Sequence, residues 1–168
     1  DGNAMKYKQK RDDRHQRFDE DEWLRVRTYT PLGEIKARAV IGHSWLTSID
    51  GRIDRWSEYL AERGVACVTF DFPNHGLSSG DKGVINAQLQ KEAFQEVVGC
   101  YAPQLGTSPL FYGGSSGGLT VAMLAYMDSV NSVSGIFGIS PFVNLQGYLP
   151  FQQGSLQEIV GTFTPSGR

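Results

Sequence analysis

Phe111-Tyr112-Gly113-Gly114-Ser115-Ser116-Gly117-Gly118-Leu119 is an apolar strand running into a glycine-rich turn and on into an apolar helix, with two serines at the turn. It fits G-x-S-x-G, the strand-to-helix elbow that lifts a serine hydroxyl above the edge of a sheet. The pattern fits twice, at Gly113/Ser115/Gly117 and at Gly114/Ser116/Gly118. Ser115 is the preferred nucleophile. Standing one residue before the helix, its hydroxyl is expected to be free, with the next N–H, that of Ser116, facing the oxyanion formed on attack. Ser116 then assists by hydrogen bonding or simply caps the helix. A phosphate-binding loop needs lysine where Leu119 stands. A dinucleotide fingerprint needs G-x-G-x-x-G at the first strand-to-helix turn, and this turn lies late in the chain. Glycines placed only for close packing leave the two serines at the tip unexplained.

Working outward, strands and helices alternate. Trp23–Tyr29 alternates like a strand and ends at Thr30-Pro31-Leu32-Gly33; residues 36–42 form a second strand. Residues 51–64 read as a helix with Ile53, Trp56 and Leu60 on one face, Asp50 as its cap and Gly64 as its stop. Residues 65–70 are continuously apolar, as expected of a strand covered on both faces. A helix over 86–101 carries Leu89, Ala93, Val97 and Tyr101 on one side. A short strand (109–113), a buried helix (116–127) and a further strand (133–140) follow. This alternation predicts an α/β fold: a mostly parallel sheet with helices on both faces.

Net charge is −2, which gives no reason to expect nucleic acid as partner. Cys67 and Cys100 have no metal-ligand spacing and read as buried reduced thiols of a cytoplasmic protein. Neither a membrane-spanning run nor a signal peptide is evident. Residues 1–21 mix Lys and Arg with Asp and Glu, without period, and are expected to be a flexible polar arm; residues 22–168 form the folded unit. After residue 100 only Asp128, Glu158 and Arg168 are charged. So apolar a stretch looks like the interior of something larger, and the domain is expected to be incomplete at its C-terminus.

Several segments together resemble the α/β-hydrolase superfamily, specifically its monoacylglycerol lipase-like branch of the serine aminopeptidase S33 (hydrolase-4) type. That branch has a strand ending in His-Gly, a G-R-Y segment opening a helix that ends L-A-x-x-G, a strand ending in Asp before G-H-G-x-S-x-G, and the nucleophile in G-H-S-M-G-G. Here the strand ends Ile41-Gly42-His43-Ser44, and Gly51-Arg52-Ile53 opens a helix finishing Leu60-Ala61-Glu62-Arg63-Gly64. Phe70-Asp71 and Asn74-His75-Gly76-Leu77-Ser78-Ser79-Gly80 follow, then the run at 113–118. The spacing agrees over residues 22–145.

The resemblance implies an α/β-hydrolase fold and a serine hydrolase that cleaves carboxylic esters, monoacylglycerols or related lipid esters, through an acyl-enzyme on Ser115. It implies oxyanion donors at Ser116 and Trp45, with His43, Ser44 and Gly114 beside the site. No metal or organic cofactor is implied; the partner is a small-molecule or lipid ester, with peripheral membrane contact allowed. The sequence departs from the family at Ser44 (glycine there), at the large Trp45, in a loop one residue longer, and at Gly114 (histidine there). These departures keep open an acyltransferase or other esterase, and a non-catalytic binding protein of the same fold.

The triad order Ser, Asp or Glu, His places the acid and the base downstream. His43 is the runner-up base, His75 is expected to fix its loop, and His15 to be solvated. Asp71 is expected to organise a loop, Asp128 and Glu158 have no histidine to orient, and residues 141–168 read as the start of a lid-like region. The chain alone is expected to be poorly active.

Overall fold

Val65–Phe70, apolar or small at every position, is buried along its whole length and paired on both sides, and the sheet is built outward from it. In chain order the elements are β1 (Tyr7–Gln16), β2 (Trp23–Pro31), β3 (Ala37–Gly42), α1 (Arg52–Ala61), β4 (Val65–Phe70), α2 (Ala87–Tyr101), β5 (Leu110–Gly114), α3 (Gly117–Met127) and β6 (Gly135–Gly138). A 3₁₀ turn, Ala102–Leu105, follows α2. The computed structural model describes residues 7–139; the lid-like region expected at 141–168, with Glu158, lies outside them. The strand order is β1-β2-β4-β3-β5-β6. β3, β4, β5 and β6 run parallel, and β2 runs against β1 and β4.

Alternate residues of the strands feed two cores. Val40, Val68 and Tyr112 meet Phe94 and Val97 of α2 and Val121 and Ala122 of α3 on one face. Ala39, Ile41, Cys67 and Phe111 meet Ile53 and Leu60 of α1 on the other. The loops that leave the carboxyl ends of β3, β4 and β5 therefore share one edge, where ligands bind in open parallel sheets.

Residues 7–16 are not a flexible arm. They form β1, in register with β2 from Gln9 opposite Thr30 to Gln16 opposite Trp23. The strand lacks the apolar alternation of a half-buried one because it lies at the sheet edge, held by its ladder and by ions. Asp12 pairs with Arg27, Lys10 with Asp54, and Tyr101 donates to Asp13. His15 is half-buried, its ring 5.6 Å from that of Tyr101, rather than solvated. Cys67 is buried as expected, but Cys100 is exposed.

Asp50 does not cap α1: Gly51 occupies the N-cap at φ 90 without a side-chain bond. The Asp50 carboxylate instead takes Arg25 at 2.8 Å and Arg27 at 3.2 Å. Arg25 continues to Asp71, 2.7 Å from Nε. Asp71, fully buried, also accepts the Ile49 and Leu77 N–H groups at 2.9 and 2.8 Å. It ties the loops after β3 and β4 together, as a loop-organising residue should.

Removing one member of a buried ion pair strands the other without compensation, at a cost of about 3–5 kcal/mol. Arg25→Met is therefore expected to lower stability by roughly that amount in urea unfolding, and more than Arg27→Met, whose partners Asp12, Asp50 and Asp54 are all more exposed than Asp71. Equal losses would show that amides alone hold Asp71.

Around Arg25 and Arg27, three carboxyls sit below their usual range. Asp12 is held there by the Arg27 hydrogen bond and Asp50 by that of Arg25; burial opposes the shift at Asp54, but hydrogen bonds from Lys10 and Tyr29 outweigh it. A depressed folded pKa means that the unfolded chain takes up protons first as pH falls. The stabilisation is therefore complete above about pH 4, the unfolded carboxyl value, and lost below it. Thermal unfolding followed from pH 7 to 2.5 is expected to show that loss, with a shallower slope in Asp50→Asn.

Candidate active site

Between the end of β5 at Gly114 and the start of α3 at Gly117 the chain reverses within two residues. Ser116 absorbs the turn at φ 49, ψ −119, a region costly for a residue with a Cβ. The two other non-glycine residues with positive φ among those described are Leu46 and Asn74, in the loops after β3 and β4. Backbone strain is thus gathered at one sheet edge.

Ser115 was the expected nucleophile; the structure moves that geometry to Ser116. Ser115 continues the strand, its N–H on the Gly42 carbonyl at 3.1 Å, its side chain 2% exposed and its Oγ accepting from Ser44 Oγ at 3.0 Å. Ser116 is exposed. The glycines choose the same register. A Cβ at Gly114 would enter the Gly118–Leu119 backbone, and one at Gly118 would enter the carbonyls of Gly42 and His43. At Gly113 and Gly117 the obstruction is a side chain, that of Phe137 or Trp45. The G-x-S-x-G that the backbone requires is Gly114/Ser116/Gly118. In that register Ser115, not Gly114, stands at the family's histidine, and Gly117 at its methionine.

The candidate oxyanion donors shift accordingly. With Ser116 at the N-cap, the next N–H is that of Gly117, the first residue of α3, in place of the expected Ser116 N–H. No described hydrogen bond uses it, as befits the first turn of a helix. Trp45 remains the second candidate donor. The Ser44 carbonyl accepts from His43 Nδ1–H (2.7 Å), from the Thr47 hydroxyl (2.6 Å) and from the Thr47 N–H (3.2 Å). In a planar trans peptide the Trp45 N–H points opposite to that carbonyl, so it faces away from the cluster, and no described bond uses it.

His43 is fully buried, and both of its nitrogens are engaged. Nε2 accepts the Phe72 N–H at 2.9 Å, which leaves the proton on Nδ1 for Ser44. Burial pushes its pKa down to about 4, with the Ser44 bond working against that. It orders the loop and has no lone pair left for Ser116. His75 fixes its own loop as expected, Nδ1 to the Pro73 carbonyl at 3.0 Å, with its ring 5.4 Å from that of His43. His15 lies on β1, four strand spacings from β5, or about 19 Å. Asp128 at the end of α3 is bound to Lys91 (2.8 Å) and Gln95 (3.0 Å). The described residues thus assemble a strained serine and two free amides.

The family profile described as serine aminopeptidase, S33 matches residues 33–168. A monoglyceride lipase homolog of Monkeypox virus is 27% identical over 149 residues, which are 88% of this chain and 53% of that protein. The chain thus spans about half the length of this curated relative. Among solved structures, a thermostable carboxyl esterase from Bacillus coagulans superposes with a TM-score of 0.67 at 18% identity, covering 77% of this chain and 43% of that one. A hypothetical protein from Pseudomonas aeruginosa gives 0.69 at 20% identity, over 80% and 43%. A lidless α/β serine hydrolase from Xanthomonas campestris gives 0.64 at 17%, over 86% and 68%. These likenesses carry the fold, and the profile carries the family: the chain belongs to the serine aminopeptidase S33 family of α/β-hydrolases.

Proposed function

We propose that the chain bears the nucleophile of a carboxylic-ester hydrolase acting on monoacylglycerols or related lipid esters, with Ser116 as the attacking residue. The observation that carries this reading is the exposed Ser116 in its strained turn, one residue ahead of the free Gly117 N–H. The likeness to a protein named monoglyceride lipase homolog supports the substrate class. So does an apolar rim: Leu46 after β3 and Leu77, Val84 and Ile85 after β4 are all exposed on the loops of this edge. Such a rim suits an acyl chain, or an ester presented at a lipid surface.

Ser116 Oγ attacks the ester carbonyl carbon and passes its proton to a general base. The tetrahedral oxyanion is held by the Gly117 and Trp45 N–H groups. The alcohol then leaves with that proton, and water, deprotonated by the same base, releases the acid from the acyl-enzyme. We take the base to be a histidine, oriented by an acid, from outside these residues: of the three histidines in the sequence, His43 has both nitrogens bound, His15 lies on a distant strand, and His75, buried, holds its own loop through Nδ1 with Nε2 unpartnered among the described residues.

Without that base the hydroxyl is a weak nucleophile, so the isolated chain is expected to react slowly with a fluorophosphonate. Peptide mapping by mass spectrometry should place the adduct on Ser116, absent in Ser116→Ala and retained in Ser115→Ala. An adduct on Ser115 would overturn the assignment. Where the base is present, Ser116→Ala is expected to cut fatty-acid release from a monoacylglycerol by about 10³-fold or more.

His43 works only as a neutral ring. Its folded pKa of about 4 lies below the unfolded value of about 6.5. Between these values the unfolded chain binds more protons, so stability declines as pH falls through this window. Unfolding midpoints measured from pH 7 to 4 are expected to drop in the wild type and to stay flatter in His43→Asn.

A further inference from the structure

The Trp45 side chain leaves the oxyanion loop sideways. Its indole lies so close over Gly117 that a Cβ there would collide with the ring, and Nε1–H donates to Gln90 Oε1 at 2.6 Å. Gln90 is on the first turns of α2, 1% exposed, and its Nε2 finds no partner among the described residues. It lies on the face of α2 that also buries Ala93, Phe94 and Val97. The amide meets the indole N–H with its oxygen but leaves its own donor idle among apolar neighbours, at a cost in stability. A locally unfavourable residue beside a reactive centre is the pattern expected where stability is traded for function.

We propose that Gln90 is a positioning residue for ester cleavage, holding the Trp45 N–H on the oxyanion through the indole. The inference rests on the reading of Ser116 as nucleophile. Trp45 is fixed at two points. Its leading peptide is set by the three donors on the Ser44 carbonyl, and its ring is set by Gln90. The next residue, Leu46, takes φ 65, so the loop needs such restraints to keep this shape. The same arrangement accounts for two departures from the family together. The ring at 45 fills the space that a side chain at 117 would take, so a large residue and a missing one form a matched pair. Gln90 touches neither substrate nor Ser116 and acts only through the ring.

The test compares Gln90→Met, which removes the acceptor at similar size, Gln90→Glu, which keeps an acceptor oxygen, and Trp45→Phe, which keeps a ring over Gly117 without the N–H. The readouts are the second-order rate of Ser116 modification by a fluorophosphonate, the unfolding midpoint and the indole Nε1–H resonance. Losing an oxyanion donor outright costs 10²–10³-fold, so a loosened one in Gln90→Met is expected to slow modification about 10-fold, with Gln90→Glu within about 3-fold of wild type. The midpoint of Gln90→Met should change little, loss of the idle Nε2 donor offsetting the indole N–H left without its acceptor, and the indole resonance should move upfield. Trp45→Phe should be as slow as Gln90→Met, and the double variant no slower than either. Wild-type rates in Gln90→Met overturn this proposal alone. A slowed rate that tracks a lowered midpoint, without recovery in Gln90→Glu, also overturns it by showing a merely structural role. A wild-type chain that never reacts overturns the Ser116 reading, and this one with it.

Discussion

No side chain fits between the first turn of α3 and the ends of β3 and β5. Gly118 lies against the carbonyls of Gly42 and His43, and Gly114 against the Gly118–Leu119 peptide. That backbone-to-backbone contact fixes where the strand must stop and the helix begin, and the forbidden torsion falls on the residue between. Ser116 is held there because its neighbours on both sides have nowhere else to go. The exposure of its hydroxyl and the freedom of the next amide both follow from this packing.

A turn under strain persists only if its surroundings are stiff. The loop after β3 is fastened from below by His43, which spans from the Phe72 N–H to the Ser44 carbonyl. From the side, Ser44 binds Ser115. The loop after β4 is fastened by Asp71, whose carboxylate lies so close to Gly76 that any larger residue would collide with it. Arg25 neutralises that buried charge from β2. The antiparallel strand thereby supplies the counter-charge beneath these loops.

Most of the scaffold from Trp23 onward is legible in the sequence, because buried strands and amphipathic helices carry their periods openly. The runs 65–70 and 86–101 fall within a residue of β4 and α2, and Asn86 caps α2 through its side chain. β1 is illegible for a physical reason: a strand whose sides bear ions instead of an apolar face has no period to see. The elbow was legible as a motif but not in register. Gly113-Gly114-Ser115-Ser116-Gly117-Gly118 is symmetric about its centre, and only the strand pairing, Gly114 beside Gly42 and Gly138, breaks the tie. The tether between Trp45 and Gln90 joins residues 45 positions apart, and a single sequence carries no signal of it.

The ionic character of β1 has a use beyond pairing. A sheet must end somewhere, and its last strand offers unsatisfied amides and carbonyls to any passing chain. Beneath β1, β2 carries Leu24, Val26 and Tyr29, all buried, an apolar ribbon that would invite stacking between copies if it were the margin. Lys10, Arg11, Asp12, Asp13 and Arg14 make the actual margin one that another strand could join only by stripping water from several charges. A segment this poor in hydrophobic side chains makes a margin at which edge-to-edge pairing with another sheet is disfavoured.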